Sequence, residues 1–572
     1  MRQRIVYSLR KLFEPDLSGW HYLLLFILVF IAFYYGMGSY PLENMNEGLY
    51  GEIPREMLAM GSYIVPHLNY LPYLEKPPLL YWLITLSYSI FGISAFSARL
   101  IPAISATAIC LGLFLFAKSL NRVKAGWLAA MILASSIGFI LIVRVLIFDM
   151  LLTACFTLSL LFFYLWYEKT SRVYLRLFYL FCGLAFMVKG LLALVLIPAI
   201  TGIFVLTEEN RWPKLLAMVD WIGILLLLIT IIPWIALVIW QQPHFFSDFF
   251  FNEQVARFFN RRFPMDYHTG PIYFYLPWLF LYLFPWSIFF PILFRKNTST
   301  LLQPLRKFLW LWFSLPLIFF SLSQAKGDYY MVLGVPPLAL LMGIKFDEYF
   351  RLNKTKILAI VLTLLLIITM ILLGSFALSP FVPTLQQLLQ HLLLLPHWVT
   401  AVWEIALWML IYSLCAILVI RYSPSPTTLF SLIAGLIIPV VILYLADKQA
   451  LQAQRSAATI ASFIQAHDRQ RPVYLYRDYE KISAILFYLQ RRLPIIDSQS
   501  EDLYFGSHTP QAAGWFIDTK NFATLAQKQA IYIVMDSGNL NDFNHALQPI
   551  AFCEIFKSGN TLVLTNQGCL QR

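Results

Sequence analysis

Residues 46–82 read NEGLYGEIPREMLAMGSYIVPHLNYLPYLEKPPLLYW, and how they are placed decides how the chain is threaded. They lie between two apolar runs and hold Glu47, Glu52, Arg55, Glu56, His67, Glu75 and Lys76. Charge beside a bilayer is costly unless it is paired or in use. Chemistry is therefore expected in this stretch.

The rest of the chain supplies the bilayer. Of 572 residues, 59% are hydrophobic and only 13% charged, against roughly 25% charged in ordinary soluble domains. Mean hydropathy is +0.69. The composition predicts a polytopic α-helical membrane protein, with about 20 apolar residues per span. The net charge of +12 does not point to nucleic acid, because the basic residues sit in short loops between apolar runs. That pattern sets orientation across a membrane and suits contact with anionic lipids. The run after the basic residues 1–13 is long and lacks a small-residue cleavage site, so no cleavable signal peptide is expected.

Apolar runs predict about thirteen spans, from 20–38 to 427–446, with 357–378 and 398–420 among them. Leu79–Ile93 is also apolar, but it is short for a span. With the N-terminus in the cytoplasm and Leu79–Ile93 not crossing, the basic loops near Lys118, Lys169, Arg211, Arg295 and Lys345 all fall on the cytoplasmic side. If Leu79–Ile93 crossed, all of them would flip outward. The charge rule selects the first arrangement and makes Leu79–Ile93 an interfacial helix in an outer loop spanning 39–96. Asp149, Lys189, 241–272, 325–329 and the tail from 447 then share the outer side. The expected domains are a membrane unit over 1–446 and a soluble tail over 447–572. In the tail, strand-like runs at 472–477, 493–497, 515–518 and 531–536 interleave with helical segments and predict a small α/β domain. It shows no glycine-rich phosphate loop and reads as a structural or substrate-capping unit. Cys553 and Cys569 flank a hairpin turning at 558–560; they stand either as thiols or, in an oxidising compartment, as a disulfide. The cysteines within apolar runs read as small core residues.

Several residues on the outer side carry candidate chemistry. Tyr50–Met60 reads as a short amphipathic helix preceded by Asn46 and Glu47, with Asn46 suited to capping it. Glu52, Arg55 and Glu56 fall on one helical face, where they either act or form a solvated ion-paired surface. Pro77 and Pro78 stiffen the backbone after Glu75 and Lys76, which places Lys76 near a lipid phosphate; the plainer reading is a snorkelling lysine. Asp149 and Lys189 stand at outward turns. The loop 241–272 carries Glu253, Arg257, Arg261, Arg262, Asp266 and His268. Its outward-facing cations call for an anionic partner, a phosphate above all. His268 with Glu75 makes a weak metal signal. Tyr330 closes the run KGDYY, where its hydroxyl can meet a phosphate oxygen.

The run NEGLYGEIPREMLAMGSYIVPHLNYLPYLEKPP resembles the first outer loop of the bacterial aminoarabinose transferases that modify lipid A, members of the GT-C superfamily related to protein O-mannosyltransferases. FDML at Asp149, MVKG at Lys189, EQVARF at Glu253–Phe258, HTGPIYFY from His268 and SQAKGDYY ending at Tyr330 follow in the family's order. The resemblance implies a GT-C fold and transfer of a sugar from undecaprenyl phosphate at the periplasmic face of the bacterial inner membrane. It gives Lys76, Arg257, Tyr330 and Lys189 to the carrier phosphate. It gives Glu47, Asp149 and Asn46 to catalysis, and Glu75 with His268 to a divalent metal (zinc, magnesium or manganese). The expected partners are the lipid-linked sugar donor, lipid A and membrane lipids, with the chain acting as a monomer. The family's pattern opens this loop with Asp-Glu; here the first position is Asn46. Asparagine is no base, so a hydroxyl acceptor would forgo a contribution of roughly 10²–10⁴-fold, whereas a phosphate acceptor needs none. Transfer to protein or glycan hydroxyls, and a flippase of lipid-linked sugars, are the competing expectations. No internal repeat of the kind common in transporters is visible.

Overall fold

The computed structural model describes residues 17, 19–264, 269–295, 303–351, 360–364, 367, 412, 414 and 426–567. Six of the described helices are long and apolar enough to cross a membrane: Ala95–Ser119, Phe148–Lys169, Trp221–Gln241, Gln303–Leu322, Tyr330–Phe350 and Leu429–Gln449. Two more candidates are bent pairs, Val123–Ala134 with Ile137–Val143 at 68° and Tyr275–Tyr282 with Trp286–Leu293 at 105°. The predicted runs 357–378 and 398–420 lie largely outside the described residues. Helices are the expected form here, because hydrocarbon offers the backbone no partner and each segment must bond internally. The break at Ser135-Ser136 has a local cause: both hydroxyls bond back to carbonyls of the preceding turn, at Met131 and Ile132, in competition with the helix ladder. The bundle core is rich in aromatics. Three fully buried indoles are each satisfied, Trp127 on the His21 carbonyl, Trp286 on Ser135 and Trp312 on the Leu333 carbonyl, as is usual for buried indoles.

Charge segregates to the two ends as loop parity predicts. At one end Lys214 and Lys307 pair with Glu208, Arg306 and Lys345 pair with Glu348, and Lys124 lies over Phe350. The other end gathers the loop 39–96, Asp149, Lys189, the segment 241–264, Lys326 and the tail.

The first loop differs from its sequence reading in two respects. Its helix opens at Asn46, not Tyr50, so Pro54 sits in the interior; the capping position is Met45 in a positive-φ conformation, with no side-chain cap. The face carrying Glu52, Arg55 and Glu56 is buried, not solvated. Arg55 grips both oxygens of Glu52 at 2.7 Å, and Glu56 accepts the Tyr70 amide at 2.8 Å. Leu79–Phe91 is a 13-residue helix packed on Asn46–Met60 and Ala95–Ser119, consistent with an interfacial element.

The cover over this loop is the tail. Two short strands in the loop, β1 (His67–Leu68) and β2 (Leu71–Pro72), pair with each other. The tail builds one six-stranded sheet from β3 (Val473–Tyr476), β4 (Ile495–Ile496), β5 (Phe516–Ile517), β6 (Tyr532–Asp536), β7 (Cys553–Ser558) and β8 (Thr561–Thr565), in the order β5-β4-β3-β6-β8-β7. Strands β3 to β6 are parallel; β8 runs antiparallel to β6 and forms the predicted hairpin with β7. Cys553 is disulfide-bonded; Cys569 lies outside the described residues. The sheet is locked to the loop. The Asn69 amide group exchanges two bonds with the Leu493 backbone, and Trp515 donates to the Asn69 carbonyl. A Cβ on Gly48 would lie 2.4 Å from the Ala484 nitrogen, so glycine is needed for this approach.

One side chain ties the loop to the bundle. Arg99, in Ala95–Ser119, is 1% exposed. It donates to Glu47 at 2.9 and 2.6 Å and to the carbonyls of Met37, Tyr40 and Pro41. All five guanidinium donors are used, and the Tyr40 ring lies 3.9 Å away. Arg99→Met strands the Glu47 carboxylate, a loss on the order of 3–5 kcal/mol for a broken buried pair. The detergent-purified variant is expected to melt well below the parent in a thermal-unfolding scan, and an unchanged midpoint would refute this role.

Candidate functional site

The site begins at the rigid end of the first loop. Pro77-Pro78 leads into the helix Leu79–Phe91, so Glu75 and Lys76 leave a stiff support. Facing them is the helical turn Phe246–Ala256, which presents Glu253, and the segment after it, which presents Arg257 and Arg262. Arg262 bridges the two carboxylates, donating to Glu75 at 2.9 Å and to Glu253 at 2.5 Å. Lys76 stands 3.7 Å from Glu75 and 3.9 Å from Glu253, and Arg257 stands 3.5 Å from Glu253. Tyr73 donates to the second Glu75 oxygen at 3.1 Å. Burial alone would raise Glu75, but Arg262, Lys76 and Arg257 together hold it below the usual carboxylate range. Glu253 is pushed up by burial and by its neighbour Glu75. Burial pulls the Lys76 ammonium below the ordinary lysine range, although both carboxylates oppose the shift.

A second pair lies across the same space. Lys189 donates to Asp149 at 2.6 Å and sits 4.4 Å from the Tyr330 ring. Between the two groups opens a cavity of about 280 Å³. Lys76, Lys189, Glu253, Arg257 and Tyr330 line its polar part, and residues such as Leu192, Val195, Phe258 and Phe320 line the rest. The four residues predicted to meet a phosphate thus share one cavity. A polar head with an apolar continuation is the shape of a lipid phosphate.

Other predicted roles fare differently. Glu47 accepts four hydrogen bonds, two from Arg99 and one each from the Leu146 and Glu43 amides. Those fill the lone-pair sites of a carboxylate. Burial would raise this carboxyl, and Arg99 with the two amides outweighs it. Glu47 is a structural anchor, and the catalytic role read for it from sequence is withdrawn. Asn46 is exposed at the start of its helix and caps nothing. Of the expected metal pair, Glu75 has both oxygens engaged by Arg262, Tyr73 and Lys76, and His268 lies outside the described residues. No step is routed through a metal ion.

Sequence reasoning missed two contributors. Arg262 was read only as a loop cation awaiting an anion; its partners are protein carboxylates, one of them 187 positions away, and no local pattern announces them. Asp502 comes from the tail. Burial and repulsion from Glu75 push its carboxyl well above the usual range, which places tail chemistry beside the membrane site. Phe263 and Tyr504 also meet edge to face at 5.0 Å. The tail therefore packs against the segment that carries Arg262.

Comparison with known proteins agrees with this geometry. Residues 75–239 match the family model described as dolichyl-phosphate-mannose-protein mannosyltransferase. Undecaprenyl phosphate-alpha-4-amino-4-deoxy-L-arabinose arabinosyl transferase 2 of Pseudomonas fluorescens (strain Pf0-1) is 32% identical over 354 residues, 60% of this chain and 62% of that protein. The corresponding transferase of Pseudomonas savastanoi pv. phaseolicola is 31% identical over 343 residues, 59% of this chain and 63% of the relative. The chain thus spans a little over three fifths of the length of these curated relatives. The crystal structure of ArnT from Cupriavidus metallidurans bound to undecaprenyl phosphate shares the fold, with a TM-score of 0.81, 22% identity, and coverage of 97% of this chain and 99% of that one. The chain thus shares the fold of that structure along its length, and it is similar in sequence to undecaprenyl phosphate-aminoarabinose transferases over about three fifths of its own length.

Proposed function

We propose that this protein is an integral-membrane glycosyltransferase that moves an aminoarabinose-like sugar from undecaprenyl phosphate to a phosphate of lipid A. The observation that carries the reading is the cavity that joins Lys76, Arg257, Lys189 and Tyr330 to an apolar wall. The curated relatives' names specify the same donor. On this reading the end bearing the first loop and the tail faces the periplasm, the opposite basic end faces the cytoplasm of the inner membrane, and the chain acts as a monomer.

The reaction is an in-line displacement. An oxygen of the acceptor phosphate attacks the anomeric carbon, the bond from that carbon to the carrier phosphate breaks, and the electron pair leaves with the polyprenyl phosphate. Charge on the leaving group grows from about −1 toward −2, and Lys76, Arg257 and the Tyr330 hydroxyl stabilise it where it develops. Asp149, held by Lys189, orients the sugar. No base is required, because the acceptor oxygen is already anionic. This agrees with Asn46 standing where the family's pattern has an acid, and it favours phosphate over a protein or glycan hydroxyl as acceptor.

Lys76→Ala is expected to lower sugar transfer in membranes by roughly 10²–10³-fold, the usual consequence of removing one donor from a developing oxyanion; near-normal turnover would remove Lys76 from the phosphate site. The depressed Lys76 ammonium is full at low pH and is lost as pH rises through its lowered value, so kcat/KM is expected to fall on the alkaline side before the ordinary lysine range of about 10.4. A bound phosphate restores the charge, so kcat falls later, and Lys76→Arg moves the kcat/KM limb upward. Mass spectrometry of lipid A from cells with and without the gene distinguishes the acceptors. Loss of a pentosamine mass is expected, together with greater sensitivity to cationic peptides such as polymyxin, since an added amine offsets the lipid A anion. Unchanged lipid A with altered protein or glycan glycosylation would transfer the reading to hydroxyl acceptors.

A further inference from the structure

We infer that Arg262 is a positioning residue of the transfer site: its guanidinium is the internal cation that locks Glu75 and Glu253 together and thereby aims Lys76 and Arg257 at the phosphate. The inference rests on the reading of the cavity as a carrier-phosphate site.

Distance separates the roles. Arg262 makes the short contacts, 2.9 Å to Glu75 and 2.5 Å to Glu253. Lys76 stands at 3.7–3.9 Å from the same carboxylates, near enough to be held and far enough to turn toward a ligand. Depth separates them too. Lys76, Glu253 and Arg257 line the cavity, while Arg262 and Glu75 are set behind that lining; the side-chain exposure of Arg262 is 6%, against 27% for Arg257.

The guanidinium is itself held. Its remaining nitrogen donates to the Pro264 carbonyl at 3.2 Å. The next residue, Phe263, is clamped by Asn252, which bonds its carbonyl at 2.7 Å and its amide at 2.9 Å. Asn252 adjoins Glu253, so one turn of chain fixes both ends of the Arg262–Glu253 contact. Two carboxylates at this depth repel each other unless a cation lies between them, and only a planar fork bridges two anions along two directions at once. Among the described residues three cations against two carboxylates leave one positive charge, which matches the single negative charge of a sugar-linked phosphodiester. Without Arg262 that surplus is lost, and Lys76 and Arg257 are drawn in to neutralise Glu75 and Glu253.

The test uses the full-length protein in detergent, with Arg262→Ala, Arg262→Lys and Lys76→Ala compared for melting temperature, binding of undecaprenyl phosphate by native mass spectrometry, and sugar transfer. Arg262→Ala is expected to lower kcat/KM on the order of 10²-fold, as sub-ångström to ångström misplacement of catalytic groups does. The loss is expected to be greater in kcat than in KM, because the leaving phosphate carries more charge than the donor. Millimolar guanidinium chloride is expected to restore part of the activity of Arg262→Ala and none of that of Lys76→Ala. Arg262→Lys, which keeps the charge but not the fork, is expected to fall between parent and alanine, and it serves as the reading if the alanine variant does not fold. Parental kcat/KM in Arg262→Lys, or a folded Arg262→Ala with parental carrier binding and turnover, would overturn the inference. If Lys76→Ala itself retains carrier binding and turnover, the carrier-phosphate reading fails, and the assignment of Arg262 falls with it.

Discussion

A single buried guanidinium sets the frame on which the site is hung. Arg99 leaves a membrane helix and gathers three carbonyls from 37–41 and both oxygens of Glu47. Glu47 extends the tie to the Leu146 amide, three residues before Asp149. One ion pair thus fixes the start of the outer loop, the first turn of its helix and the approach to the Asp149 helix. Removing a charged partner at that depth leaves its mate without solvent, which is far costlier than the pair itself is stabilising. The loop can therefore present Lys76 from a fixed origin although it lies outside the bundle.

The charges beyond this anchor fall into two kinds. Arg99 with Glu47 and Arg55 with Glu52 are closed pairs, with contacts of 2.6–2.9 Å. Lys76 belongs to the other kind, held at longer range beside a cavity. A site for a lipid phosphate needs both. Closed pairs keep the architecture neutral and dry, and loosely held cations have somewhere better to go. Burial makes the second kind effective, because an ammonium that is only partly compensated in a low-dielectric setting gains more from a phosphate than it would in water.

Much of the fold was legible in the sequence because the bilayer imposes a simple rule. Long apolar runs with basic residues in alternate loops sort the chain into spans and ends without knowledge of any contact, and Leu79–Ile93 reads as an interfacial element from its length and the charge of the loops that follow. The four parallel strands and the hairpin of the tail were legible from their β-branched and aromatic runs. What was not legible depended on partners distant in sequence. Asn46 has the chemistry of a cap, yet the helix starts on Asn46 itself, behind Met45 at φ 65°, because the tail docks on Gly48 and dictates the entry of the chain. The face of Glu52, Arg55 and Glu56 has the spacing of a solvated surface and is buried, with Tyr70 from later in the same loop bonded to Arg55 and Glu56. Lys76, Lys189, Arg257 and Tyr330 could be named one by one, since each is a polar group at an outward turn. Arg262 could be named but not assigned, since its role lies in joining residues 75 and 253.

The accounting of carboxylates bears on the acceptor. A hydroxyl nucleophile needs a basic oxygen with a free lone pair beside the anomeric carbon. At this end Glu47 is filled by four donors, Asp149 is held by Lys189, and Glu75 and Glu253 share Arg262. Asp502 and Glu56 are shifted upward, each first by burial and then by a neighbouring carboxylate, Glu75 or Glu52. The cations lining the cavity, Lys76, Lys189 and Arg257, suit it to drawing in anions. An acceptor that brings its own negative oxygen turns that property to use: it needs no base, and the field that holds the carrier phosphate also attracts it.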